Sequence, residues 1–146
     1  QNVLNELKAD NTTKEEVLFL VGHHDSPAEK NVEEVKRRLS RYGEEKYRAL
    51  IDLRRADNSA QSEDFKRTEQ HDRCLEMLSE ILESQSCFAL KNLKINGDDL
   101  LALGFPKGSL IGQTLSALLD GVITEKYPNN REELHKIAKN LLDSRK

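Results

Sequence analysis

The chemistry in this chain begins with an interruption. Residues 99–115 read DLLALGFPKGSLIGQTL, an apolar helical run cut by Gly104-Phe105-Pro106-Lys107-Gly108 and then resumed. Gly104 suits the left-handed conformation that closes a helix, Pro106 fixes the turn, and Gly108 lets another backbone come close. A helix starting at Ser109 offers free amides at its tip, and Lys107 stands beside them. Backbone N–H groups, a helix dipole and an ammonium together make an anion site, and phosphate is the commonest such anion. The plainer reading is an αα-turn, in which glycine and proline do nothing more than reverse the chain.

Other residues with chemical potential are fewer than a complete site needs. His23-His24-Asp25, with the distant Asp57, offers imidazole and carboxylate ligands. A working metal centre needs several converging ligands with satisfied outer partners, so the favoured reading is structural: one His caps the carbonyls of the preceding helix and Asp25 supports the turn. His71 and His135 sit among charged residues and are expected at the surface. Cys74 falls on an apolar stripe and Cys87 has no neighbouring His, so neither is assigned a nucleophilic role. No catalytic residue and no metal ligand is assigned.

Charge adds a further candidate. Residues 1–35 carry three basic and eight acidic side chains, 36–55 eight and three, 56–90 three and eight, and 91–146 nine and seven, within a net charge of −3. The block Lys36, Arg37, Arg38, Arg41, Lys46, Arg48, Arg54 and Arg55 either docks a polyanion or pairs with Glu33, Glu34, Glu44 and Glu45 at helical spacing. The paired, solvated face is the favoured alternative.

These residues need elements to hold them. With 36% apolar and 34% charged residues, no Trp and three Pro, the chain reads as all-α, a bundle of about seven helices in two sub-bundles joined by a long helix. Two cysteines thirteen positions apart fit free thiols in a reducing compartment. The longest apolar stretch, VLFLV at 17–21, is too short to span a membrane, and no signal peptide is recognised, so a cytoplasmic location is expected. Thr12-x-x-Glu15 and Thr13-x-x-Glu16 are candidate capping boxes for a helix ending near Gly22. Ser26-Pro27-Ala28-Glu29 predicts the next start, Gly43 a break, and Tyr47, Leu50, Ile51 and Leu53 a helix to about Ala56. Cys74, Leu75, Leu78, Ile81 and Leu82 predict a long helix from about Gln61 to Ser84. SCFALKNLKINGDD breaks the period and places a boundary near residue 90. Helices over about 97–103, 109–124 and 130–143 follow, the last opened by Asn130-x-x-Glu133.

The Gly-Phe-Pro-Lys-Gly turn resembles the loop of helix-hairpin-helix modules, which grip a nucleic-acid backbone without reading bases. Over a wider span, Asn96, Gly97, Asp99, Leu100, Gly104, Gly108, Ile111, Gly112 and Asn130 match in order a pattern of the C-terminal region of bacterial tRNA nucleotidyltransferases, the CCA-adding and poly(A) polymerase family. LFLVGHHDSP and LIDLRRADNSAQ are similar to the later helices of the HD-like region that precedes this tail in the family. The resemblance divides the chain into the end of an HD-like region over 1–60, a connecting helix over 61–90 and a tRNA-binding tail over 91–146.

The sequence has no Asp-x-Asp pair, and its one Gly-Ser, Gly108-Ser109, stands at a helix start without acidic companions, so the family's catalytic motifs are not matched. The resemblance therefore implies a C-terminal portion, inactive alone, of an enzyme whose catalytic domain uses Mg2+ with CTP and ATP. It implies tRNA as partner, held through the acceptor and T-arm backbone, with no membrane and no DNA, and homo-oligomers remain open. Lys107, Gly108 and Ser109 are the expected phosphate cradle. Lys91, Lys94, Arg54 and Arg55 are supporting contacts, with Arg54 and Arg55 alternatively pinning helix packing. Recognition of shape and phosphate suits a chain poor in aromatic residues. Two other classes stay open. One is the remnant of a metal-dependent HD phosphohydrolase built on His23, His24, Asp25 and Asp57. The other is an interaction module using the 74–82 stripe.

Overall fold

Helix boundaries in this chain are set by short polar side chains that take up first-turn amides. The computed structural model describes Glu6, residues 8–61 and residues 65–144. Among these it has seven α-helices and a single 3-10 turn, and no strand: α1 Asn11–His23, α2 Val32–Tyr42, α3 Glu44–Gln61, α4 Phe65–Glu83, the 3-10 turn Leu90–Asn92, α5 Gly97–Ala102, α6 Ser109–Ile123 and α7 Arg131–Asp143. The all-α expectation holds. No described helix is long and apolar enough to cross a membrane. The chain clusters into two compact units, Gln1–Glu80 and Ile81–Lys146.

In the first unit the caps fall elsewhere than predicted. α1 is capped by Asp10, whose carboxylate accepts from the Thr13 amide at 2.9 Å and from the Thr13 hydroxyl at 2.8 Å. A carboxylate is the stronger acceptor, and with Asp10 as the cap the helix starts one to two residues before the predicted boxes. Ser26-Pro27-Ala28-Glu29 starts no helix. The box lies five residues further on, where Asn31 accepts from the Glu34 amide at 2.9 Å and Glu34 reaches back to the Lys30 amide at 2.8 Å. Glu29 is instead drawn into the interior.

Apolar packing here is carried by Val35 and Leu39 of α2, Tyr47, Leu50 and Ile51 of α3, and Cys74 and Leu78 of α4, all buried. α3 runs on to Gln61, past the predicted end near Ala56. Its apolar period stops because the inward positions Arg54 and Asn58 meet polar partners rather than leucines. The predicted start of α4 near Gln61 adjoins residues 62–64, which lie outside the described residues. The 74–82 stripe is real: Cys74, Leu78 and Ile81 are buried within this chain, and Leu75 and Leu82 are partly buried.

The second unit has its own core. Leu100 of α5, Phe105 of the following turn, Leu118 of α6 and Leu134 and Ala138 of α7 are its centre, roofed by Cys87, Leu93 and Ile95 from the connecting segment. α5 packs on both α6 and α7, α6 on α7, and the 3-10 turn on α6. All three predicted helices of this unit appear within about one residue of their expected ends.

Candidate nucleic-acid interface

The 104–109 turn is held from both sides and open at its tip. On its entry side, Asn96 caps α5: its Oδ1 accepts from the amides of Asp98 at 2.9 Å and Asp99 at 3.0 Å, while Asp99 Oδ2 accepts from the Asn96 amide at 2.9 Å. The motif Asn96-Gly-x-Asp99 is thus a reciprocal capping box. The other oxygen of Asp99 pairs with Arg131 Nη2 and lies 3.6 Å from His135 Nε2, which ties the start of α5 to α7. Hydrogen bonding by the Asn96 amide, followed by Arg131, holds the Asp99 carboxyl below its usual range.

α5 closes with a Schellman motif. The Phe105 amide donates to the Leu100 carbonyl at 3.1 Å and the Gly104 amide to the Leu101 carbonyl at 3.0 Å, with Gly104 at φ +93°. Phe105 then drops into the core beside Leu100, so the chain behind the turn is anchored by an aromatic side chain. The next residues reverse course. Pro106, Lys107, Gly108 and Ser109 are all solvent-exposed, and Gly108 stands at the N-cap of α6 with φ +134°, a conformation that a side chain would strain. No side chain caps α6. Its N-terminus stands at an exposed tip beside Lys107, with the Ile111 amide donating to the Gly108 carbonyl at 3.3 Å.

Lys91, in the 3-10 turn, and Lys94 are both exposed. Their segment is fixed by Asn129, a residue the sequence reading passed over. Its side chain accepts from the Lys94 amide at 3.0 Å and donates to the Asn92 carbonyl at 2.9 Å. The pattern Asn129-Asn130 carried a signal for this. Only one of two adjacent asparagines can cap α7, and Asn130 does so, accepting from the Glu132 amide at 2.9 Å.

The first unit treats its candidates differently. Arg54 is 2% exposed, and its guanidinium donates to Glu29 Oε2 at 3.4 Å and to the His23 carbonyl at 3.2 Å. It takes the helix-pinning alternative and is not a surface contact. Glu29 also receives Arg38 Nε at 3.0 Å and the Tyr47 hydroxyl at 2.8 Å. Burial, followed by Glu29, pushes the Tyr47 phenol far up. The Cys74 thiol donates to the Glu29 carbonyl at 3.3 Å and is pushed up to about 11 by burial and the same carboxylate, so it is protonated at neutral pH. Arg55 is half-exposed and pairs with Asp72 of α4 at 3.0 Å.

Within the basic block, Arg37 pairs with Glu33 and Arg48 with Glu44 at i,i+4 spacing. These two pair as the favoured alternative has it; Arg38 and Arg54 pair instead with the buried Glu29, and Arg55 with Asp72.

His23 Nδ1 bonds the Phe19 carbonyl and His24 Nδ1 the Val21 carbonyl, each at 2.7 Å, so both imidazoles cap the end of α1. His24 Nε2 lies 3.2 Å from Asp25. Among the described residues no three His, Cys, Asp or Glu side chains converge as a metal site would require. His71, expected at the surface, is 5% exposed, because it lies one turn before Cys74 on the inward face of α4. His135 is half-buried rather than freely exposed, its ring turned toward Asp99.

A family model, tRNA nucleotidyltransferase domain 2, matches residues 1–138. The chain belongs to that family. No curated protein and no solved structure matches it. In this tRNA nucleotidyltransferase domain, the motif residues Asn96, Asp99, Gly104 and Gly108 have structural tasks that can be named. The first two build the box that starts α5, and the glycines supply the two positive-φ positions that turn the chain into α6.

Proposed function

We propose that this domain grips the backbone of tRNA while a nucleotidyltransferase domain extends the 3′ end, and that the turn Lys107-Gly108-Ser109 receives a backbone phosphate. The observation that carries the reading is the exposed, uncapped N-terminus of α6. It is presented by a glycine at φ +134° and flanked by a lysine, on a turn anchored from below by Phe105. Rigid amides at such a tip bind an oxyanion without reorganising, and the α6 dipole adds to the attraction. Lys91 and Lys94, on the segment clamped by Asn129, supply further positive charge in the same unit. Arg55 can contribute only in competition with Asp72. Contacts of this kind read shape and phosphate rather than sequence, as suits a protein that must accept every tRNA.

In this reading the catalytic chemistry, with Mg2+ and CTP or ATP, belongs to the nucleotidyltransferase domain, and the partner is the acceptor and T-arm backbone of tRNA in the cytoplasm. The test is binding of this chain to tRNA and to acceptor–T-arm minihelices over a salt series, with Lys107→Glu in parallel. The expected affinity is micromolar or weaker and falls steeply with salt. Lys107→Glu should weaken binding several-fold and reduce the log–log salt slope by about 1. Undiminished affinity in Lys107→Glu removes the turn from the interface.

A further inference from the structure

Helix α6 carries a glycine that neither its backbone nor its packing requires. Elsewhere in the second unit, Gly104 and Gly108 stand at positive φ. A Cβ at Gly97 would touch Ile111 at 3.5 Å, and one at Gly121 would overlap the Tyr127 ring. Gly112 has neither reason. It lies within α6, it is exposed, and a Cβ there would meet nothing within 4 Å. Glycine inside a helix destabilises it relative to alanine, because it gives up more chain entropy and leaves the backbone bare. The helix is weakened at a point where a methyl group would fit without any contact.

The place of Gly112 shows what a bare backbone serves there. Side chains on a helix lean toward its N-terminus, so residue 112 covers the turn before it, which is the tip at Gly108 and Ser109. Any side chain at 112 would stand over the approach to that tip. The exposed residues beside it are Ser109, Gln113 and Ser116, and α6 has no charged residue before Asp120, so nothing on this part of the helix repels an anion. Hydroxyl and amide groups bond to ribose hydroxyls and phosphate oxygens, whereas a face made for another protein helix is more apolar.

We infer that Gly112 is a contact residue for RNA: the strand that places a phosphate at the α6 tip runs on across the first turn, and its adjoining ribose packs on the bare backbone at 112. Resting on the RNA reading of the Lys107 turn, this contact extends it from a phosphate to a strand. Four residues of helix span about 6 Å, more than one phosphate group covers.

The test pairs two measurements on Gly112→Ala and Gly112→Gln: thermal unfolding, and binding to tRNA with Lys107→Glu alongside. Both variants should unfold about 2–6 °C above wild type, because each favours the helix and neither displaces a neighbour. Binding should move the other way, weakening by about 3-fold or more in Gly112→Ala and by about 10-fold or more in Gly112→Gln. A gain in stability with affinity unchanged makes the glycine a weak point of the helix and nothing else, and overturns the inference. A Gly112→Ala chain less stable than wild type shows that the glycine serves the fold, and overturns it as well. If wild type forms a dimer in sedimentation that Gly112→Gln disperses, with tRNA affinity intact, the bare face meets a second copy instead and the RNA contact is excluded. Lys107→Glu separates this contact from the reading beneath it. Weaker binding there, with Gly112→Gln binding as wild type does, removes the contact alone; full affinity in both removes the turn too.

Discussion

Replacing Glu29 by Gln removes one charge from the best-enclosed ionic group in the chain and changes its shape hardly at all. The Glu29 side chain is 2% exposed and serves four donors, Arg38 at 3.0 Å, the Tyr47 hydroxyl at 2.8 Å, Arg54 at 3.4 Å and, more weakly, the Cys74 thiol at 3.8 Å. The cost divides according to where those donors can go. Arg38 is about a third exposed and can turn to water, so its loss is small. Arg54 is as buried as Glu29 and cannot, which leaves an uncompensated guanidinium inside; breaking such a pair costs about 3–5 kcal/mol. The remaining bonds to the glutamine amide recover part of that, and we expect a net loss of roughly 3 kcal/mol.

The assay is urea unfolding at neutral pH, followed through backbone resonances of α2 and α3. Arg54→Met and the double variant complete a cycle. Because Arg54→Met removes the stranded charge, the double variant should be more stable than Glu29→Gln alone, with a coupling of about 1–3 kcal/mol. A loss below about 1 kcal/mol, or additive single variants, would refute a closed ionic core and return Arg54 to the surface as an RNA contact.

Three further predictions concern the second unit. A Cβ on Gly121 would lie 2.1–2.3 Å from the Tyr127 ring, so Gly121→Ala should cost about 1–3 kcal/mol by displacing that ring; thermal unfolding should show little added loss when Tyr127 is already Ala. Asp99→Asn should cost about 1 kcal/mol at neutral pH through the capping box and the Arg131 pair. Since the folded-state carboxyl is lowered, its contribution is full above the ordinary value of 3.8 and disappears as pH falls from there through the folded-state value, so acid unfolding curves of wild type and Asp99→Asn should converge in that window. Glu125, exposed just past α6, has φ +56°, and Glu125→Gly should raise stability by up to about 1 kcal/mol in the same unfolding assay.

What the sequence alone determined was local. The helices over 97–102, 109–123 and 131–143 announced themselves through Asn130 as a cap, Gly104 as a stop and a leucine-rich period of 3.6, while Asn96, met in sequence only as part of the family pattern, proves to cap the first of them. These signals act over three to five residues and need no partner from elsewhere. The open turn at Lys107–Ser109 was legible for the same reason, since glycines at φ +93° and +134° are demanded by the chain reversal itself.

What only the tertiary structure decided rests on separations no local pattern encodes. Glu29 looked like a capping residue and is the hub of an ionic core, because its partners stand 9, 18, 25 and 45 positions away. His71 read as a surface residue among charges and Arg54 as either an RNA contact or a pin for helix packing, and the packing of α3 and α4 buries both. A charged side chain carries no mark in sequence of whether its counter-charge will be waiting inside. That is settled by the close approach of segments remote along the chain, where burial becomes tolerable once each charge has found its partner.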